Sequence, residues 1–363
     1  WFFVCVFFVF FFLVFVFFLF TCCFFFFFPH HPPTAPPRSQ QTILCYHPPD
    51  RWLPPGGRLC YGTGAAMRRL LIALFASAAL AACRDGGDVY WVYFYSNRTG
   101  NDEVYAIRSD GTGLRRLTDD PGRDYEPRVS PDGKRIVFVS TRDGSTQLFT
   151  MNADGTGQRR LTFSGERDER IVDDYAYWSP DGKKIVFQRS EPLPEGDGMQ
   201  ADIWVVDLET GEETRLTDEP SWDSTPSWTA DGQYILFESN RVDPNATELG
   251  EFHVWRMRPD GSNPEQLTRT DARAIEPKPA PDGRFAYTMK VDDNEDLYIA
   301  DAEGGDIRRV TTDPARDRCP MWLSDDLIVF FSDRDGNNEL YVVRPDGSGL
   351  RRLTLDPGND ELC

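Results

Sequence analysis

One pattern recurs six times along this 363-residue chain: an Asp-Gly or Gly turn, a basic-leaning step, then Leu-Thr or Val-Thr and a polar turn. The anchors are Leu117-Thr118, Leu161-Thr162, Leu216-Thr217, Leu267-Thr268, Val310-Thr311 and Leu353-Thr354, spaced by 44, 55, 51, 43 and 43 residues. A period of that size marks stacked repeats, in which each unit buries its apolar faces only against its neighbours.

Most units also carry a Ser-Pro-Asp-Gly-like turn, at Ser130 to Gly133, Ser179 to Gly182, Thr229 to Gly232 and Ala280 to Gly283; the sixth departs from it at Leu323 to Asp326. Each turn opens a short apolar run: Ile136 to Val139, Ile185 to Phe187, Ile235 to Phe237, Phe285 to Tyr287 and Leu327 to Phe331, with Val92 to Tyr95 as the first unit's equivalent. Runs this short and this apolar predict strands covered on both faces. A second run repeats one aromatic, at Tyr105, Phe149, Trp204, Trp255, Tyr298 and Tyr341, with a smaller or aliphatic residue two positions on. That period of two puts the pair on one strand face. Asp-Gly turns then lead to the anchor, and Asp-Gly supplies the positive φ angles of a tight hairpin.

Four short antiparallel strands per unit, with no helical periodicity between them, describe a propeller blade, so the expected fold is an all-β, six-bladed β-propeller. The first unit lacks an inner strand of its own. The chain's end, residues 356–363 (DPGNDELC), repeats the inner-strand approach of residues 120–127 (DPGRDYEP), so the C-terminal strand is expected to close the ring.

The first methionine is Met67, followed by Arg68-Arg69, an apolar stretch from Leu70 to Leu80, and Ala81-Ala82-Cys83. A basic start, a short apolar core and small residues mark a signal peptide over residues 67–82. The Leu-Ala-Ala-Cys sequence resembles the lipobox of bacterial lipoproteins, which makes Cys83 the expected lipidation site and residues 83–89 a tether ahead of a propeller at 90–363. Arg84 rather than an aspartate after the cysteine favours the outer membrane over the inner. Trp1 to Phe28 is almost wholly Phe, Val, Leu and Cys, and residues 1–66 hold no methionine. That stretch is read as upstream translation or a leader and excluded from the fold.

Residues 1–82 carry five arginines and one acid, so the formal charge of −19 on the whole chain becomes −23 on the remainder. A surface this acidic repels phosphate and argues against nucleic-acid binding. The Arg-Arg pairs at 115/116, 159/160, 308/309 and 351/352 fall in the outermost strand of each blade, where charge discourages edge-to-edge association. Only Cys83, Cys319 and Cys363 lie beyond the leader. The last two fall one position apart in neighbouring inner strands; a disulfide is one reading, and two buried free thiols the preferred one.

His253 is the single histidine past Cys83, so no Ser-His-Asp or Cys-His pair can be built and no catalytic residue is assigned. No multi-histidine metal site exists there, and no phosphate loop or dinucleotide fingerprint interrupts the repeats, so no cofactor is expected. One constellation remains: Asp124, Asp173, Asp223, Asp317 and Asp360 fall at one inner-strand position in five units, while the fifth unit carries Ala274. Placed at the channel mouth, such a ring suits a hard cation such as Ca2+ or a cationic ligand. The preferred reading is structural, each aspartate serving its own turn. Units three and four carry longer hairpins, Ser190 to Ala201 and Asn240 to Glu251, and insertions on one rim of a repeat array often form a binding face.

Residues 130–144 (SPDGKRIVFVSTRDG) and 151–162 (MNADGTGQRRLT) resemble the repeat of the TolB-type propeller, and the resemblance covers residues 90–363. It implies an extracytoplasmic, non-enzymatic propeller that works through protein contacts. In the family's namesake the partner is the peptidoglycan-associated lipoprotein, and a separate N-terminal domain meets the inner-membrane machinery; no such domain fits between Cys83 and the first repeat. The expected function is a lipid-anchored scaffold on the periplasmic face of the bacterial envelope that binds an envelope protein. The alternatives are a glycan- or peptidoglycan-binding propeller and a metal-dependent hydrolase or lyase using channel carboxylates.

Overall fold

The apolar runs that follow the Ser-Pro-Asp-Gly-like turns are strands without an exposed face: Ile136 to Val139, Ile185 to Phe187 and Ile235 to Phe237 are all buried. In the computed structural model, which describes residues 88–241 and 251–363, 24 strands form six antiparallel four-stranded sheets. Each sheet is one blade, running from an inner strand to a short outer one. Blade two shows the plan: β4 (Asp124–Val129), β5 (Arg135–Ser140), β6 (Gln147–Asn152) and β7 (Arg159–Arg160). The architecture is the six-bladed propeller that the repeats predict. Its ring closes where β24 (Asp360–Glu361) pairs with β1 (Trp91–Ser96), Glu361 opposite Tyr95 and Asp360 opposite Ser96.

Six apolar clusters fill the spaces between successive blades. Between blades one and two, Val104, Ala106 and Leu117 meet Ile136, Phe138 and Met151; between blades six and one, Val329, Leu340 and Leu353 meet Val92, Phe94 and Leu362. A blade is therefore apolar on both faces, and burial of those faces is the main source of stability.

The repeated residues have specific tasks. At the anchor, the Leu117 carbonyl lies where a side chain on Gly155 of the next blade would collide, 2.6 Å from a Cβ placed there. Gly261, Gly304 and Gly347 press in the same way against Leu216, Leu267 and Val310. These glycines also hold φ between +80° and +90°, so both space and backbone angle call for glycine. The anchor threonine is buried and accepts the first free amide of the third strand in all six blades: Val104 N–H to Thr118 Oγ1 at 2.9 Å, and likewise at Thr162, Thr217, Thr268, Thr311 and Thr354. The outer strand is too short to supply that acceptor, so a side chain does.

Blade three's insertion continues the sheet. Its strands β9 (Lys184–Pro192) and β10 (Met199–Asp207) pair from Lys184 with Asp207 out to Pro192 with Met199, forming a ribbon with an exposed tip at residues 193–198. Most of the matching insertion of blade four, and the leader, signal peptide and Cys83, lie outside the described residues.

Candidate functional site

Every inner strand carries the position that the sequence singles out as its first or second residue. In five blades that aspartate is buried and held by an arginine of its own blade: Asp360 by Arg98 at 2.6 Å, Asp124 by Arg142 at 2.6 Å, Asp173 by Arg189 at 2.6 Å, Asp223 by Arg241 at 2.5 Å and Asp317 by Arg334 at 2.8 Å. The guanidinium in turn lies over the recurrent aromatic, as Arg142 does over Phe149 at 5.0 Å and Arg189 over Trp204 at 4.6 Å. Serine completes the set, Ser140 Oγ donating to Asp124 at 2.6 Å and Ser239 Oγ to Asp223 at 2.5 Å. Burial raises the carboxyls of Asp124, Asp223, Asp317 and Asp360 above the usual range, while their arginine and serine partners oppose it.

Blade five loses the whole device together. Ala274 replaces the aspartate and pairs across the strands with Met289, where the other blades place serine or arginine. Two residues on, Val291 stands in register with Arg142. Where the acid is missing, the arginine is missing too.

A second acid sits at the start of the third strand. Glu103, Asp202, Asp296 and Glu339 bind an outer-strand arginine, Arg116, Arg215, Arg309 and Arg352, at 2.5–2.7 Å. In these four blades an outer-strand arginine therefore turns to a buried carboxylate, whereas Arg160 of blade two meets Gln147 and the more exposed Asp143 and Glu166. Burial pushes Asp202 up to about 6. In blade four this position is His253, and Gln266 replaces the arginine. Among the described residues His253 Nδ1 has no partner, and burial lowers the imidazole below its ordinary value.

The ionic groups nearest the axis come from further along the inner strands. Each described inner strand of blades two to six carries a bulge at a residue with positive φ: Glu126, Tyr175, Thr225, Glu276 and Cys319. In three places an acid of the preceding blade caps the bulge amide: Glu126 Oε2 accepts from Tyr175 N–H at 2.8 Å, Glu238 Oε2 from Glu276 N–H at 2.8 Å, and Glu276 Oε2 from Cys319 N–H at 3.0 Å. Glu276 also pairs with Arg318 at 2.5 Å. Two residues past the bulge, blade two presents Arg128 and blade five Lys278, 4% and 3% exposed. Burial and the nearby positive charge of Arg128 push the Lys278 amine down to about 8. Asp174 is enclosed by protein yet keeps part of its surface in the channel; burial, then Glu126 and Asp173, hold its carboxyl well above the usual range.

Cys319 and Cys363 are joined as a disulfide, with Cα atoms 6.0 Å apart. This corrects the expectation of free thiols: the bulge at Cys319 and the approach of the closing strand bring the two inner strands within bridging reach. A groove of about 350 Å³ between blades four and five is lined by Tyr234, Arg256, Pro281 and Arg284; Arg256 is already bridged to Glu265 and Glu303.

The sequence repeat points to Asp124, Asp173, Asp223, Asp317 and Asp360, and the structure places them alike but separately, each against its own arginine. It brings together Glu126, Arg128, Glu276, Lys278 and Arg318, which recur in only some of the blades. The one signal that could have found them is ionic residues next to an inner-strand proline, as in Glu126-Pro127-Arg128 and Glu276-Pro277-Lys278.

The profile of the TolB beta propeller domain matches residues 81–193 and 175–290. Among curated proteins, the uncharacterized protein Atu1656 of Agrobacterium fabrum is 31% identical over 36% of this chain and 43% of its own length. The Tol-Pal system protein TolB of Anaeromyxobacter dehalogenans is 35% identical over 42% of this chain and 33% of its own. The chain thus spans less than half the length of these curated relatives. Among solved structures, TolB from Acinetobacter baumannii superposes with a TM-score of 0.64 at 18% identity, over 84% of this chain and 74% of that one. An oligogalacturonate lyase from Vibrio parahaemolyticus gives 0.50 at 18% identity, over 73% and 74%. At such identities the likeness is one of fold.

Proposed function

Because this chain belongs to the TolB beta propeller domain family, we propose that it is a non-catalytic scaffold of the bacterial envelope, tethered through lipid on Cys83 and docking an envelope protein. The observation that carries this reading is the commitment of the repeated carboxylates. All five inner-strand aspartates lie within 2.5–2.8 Å of a guanidinium, an arrangement that builds blades and leaves these groups little capacity for acid–base work. The Tol-Pal membership of a relative makes the peptidoglycan-associated lipoprotein the first partner to try, and the blade-three ribbon is the proposed contact rim.

Binding of purified peptidoglycan-associated lipoprotein to the full chain, with and without residues 193–198, tests the reading. Saturable binding that weakens at least tenfold on removal of the tip is expected. Equal binding by both forms moves the contact off this rim, and no binding removes this partner.

The second reading, a metal-dependent hydrolase or lyase, is favoured by the fold shared with a lyase and requires the aspartates to leave their arginines for a metal. The thermal midpoint is expected to be the same in EDTA and in millimolar calcium. A calcium-dependent rise lost in Asp223→Ala and Asp317→Ala would instead establish a metal ring and reopen the question of enzymatic activity.

A further inference from the structure

Arg128 and Lys278 occupy the same rung of inner strands three blades apart, and in a ring of six that places them across the axis from each other. Both rungs are fixed by the next blade: Trp178 Nε1 donates to the Arg128 carbonyl at 2.9 Å, and Trp322 Nε1 to the Lys278 carbonyl at 3.1 Å. The two residues are nearly inaccessible from outside, and the charge of Arg128 bears on the Lys278 amine. Among the described residues neither has a carboxylate within ion-pairing distance. Arg128 donates through Nη1 to two backbone carbonyls, Pro127 at 2.8 Å and Leu362 at 2.7 Å, and among the described residues the Lys278 amine has no acceptor.

The neighbouring acids do not fill this role. Glu126, Glu238 and Glu276 lower the cost of charging Lys278 from a distance, but both oxygens of Glu238 and of Glu276, and one of Glu126, are engaged by the bulge amides, by Ser224 at 2.7 Å, by Thr288 at 2.7 Å and by Arg318. Two like charges buried at the same level of the ring, neither of them in an ion pair, are unfavourable. An anion between them would relieve both, and a planar carboxylate suits the guanidinium fork on one side and the point charge of an ammonium on the other. Tyr175, Tyr177 and Asp174 keep part of their surfaces open, so the channel reaches this level.

We propose that the axis of the propeller is an anion site in which Arg128 and Lys278 jointly hold a carboxylate. The site stands on these two residues alone and is independent of whether a protein docks on the rim.

The test is calorimetric titration of the full chain at pH 7 and low salt with sodium acetate, with a blocked Gly-Asp-Gly peptide and with inorganic phosphate. Saturable binding of acetate or the peptide is expected, and which of them binds separates a small acid from an acidic side chain as the source. Affinity should fall at least tenfold in Lys278→Met and in Arg128→Gln, and stay within about threefold in Lys278→Arg, which keeps the charge. Lys134→Met, at an exposed turn, serves as the control and should bind as the parent does.

In the unaltered protein, affinity should decline as pH rises from 7 to above the Lys278 value near 8, since a guanidinium keeps its charge throughout and any proton lost by Glu126, Glu238 or Asp174, whose carboxyls burial raises, adds negative charge that weakens anion binding in the same direction. That measurement holds if the variants fail to fold. Absence of saturable binding by acetate and peptide, binding of phosphate alone, equal affinity in Lys278→Met, or affinity unchanged from pH 7 to 9.5 would each overturn the proposal.

Discussion

Asp124 is a buried carboxylate whose charge is tolerated because Arg142 and Ser140 meet it at 2.6 Å. Removing one member leaves the other as an uncompensated ion, which typically costs about 3–5 kcal/mol, whereas removing both leaves apolar space that costs less. Unfolding of Asp124→Asn, Arg142→Met and the double variant in urea should therefore give single losses of about 3 kcal/mol and a double loss well below their sum. Additive losses would mean that the pair is held by its surroundings rather than by itself. Blade five already holds the apolar version in Ala274, Met289 and Val291, and its cluster of Phe285, Tyr287 and Tyr298 packs without the ions. The repeat thus contains its own double variant, and this is why five aspartates in register are weak evidence of a ligand.

Between residue and ring stands the blade, whose fit to its neighbour is concentrated in one contact, a turn glycine against an anchor carbonyl. Gly155→Ala would bring a methyl to 2.6 Å from the Leu117 carbonyl at φ +90°, for a loss of roughly 2–3 kcal/mol. Gly211→Ala, at φ +74° with open space around it, should cost about 1 kcal/mol. Equal losses would show that backbone angle, and not contact between blades, governs the turn. Strand order, blade number and ring closure were all legible in the sequence because they follow from spacing, and Leu117-Thr118 with Asp154-Gly155 could be read as punctuation before it could be read as contact. The axial cluster was not legible. A single extra residue at each bulge shifts side-chain parity midway along the inner strand, and Glu126, Arg128, Glu276 and Lys278 meet only through the ring.

For the molecule as a whole, the disulfide between Cys319 and Cys363 reinforces a closing strand of two residues. Bridging residues 44 apart in sequence restricts the unfolded chain by about 4 kcal/mol on a chain-entropy basis. Cys319→Ser, or reduction, should lower the urea midpoint accordingly, and Tyr95, which donates to Glu361 at 2.6 Å and to the Cys363 carbonyl at 3.0 Å, should lose that environment first. An unchanged midpoint would assign closure to the strand pairing alone. The pairing of Ser96 with Asp360 also sets an order of events in time. Five blades can complete their sheets as the chain emerges from a ribosome or a translocon, but the first, whose hairpins form locally, waits for its inner strand at residues 360–361. Until then the nascent protein carries an unpaired edge on β1 and an open apolar flank, the two features most prone to capture by another chain. Synthesis of residues 360–361 therefore decides when β1 stops being a hazard to neighbouring chains.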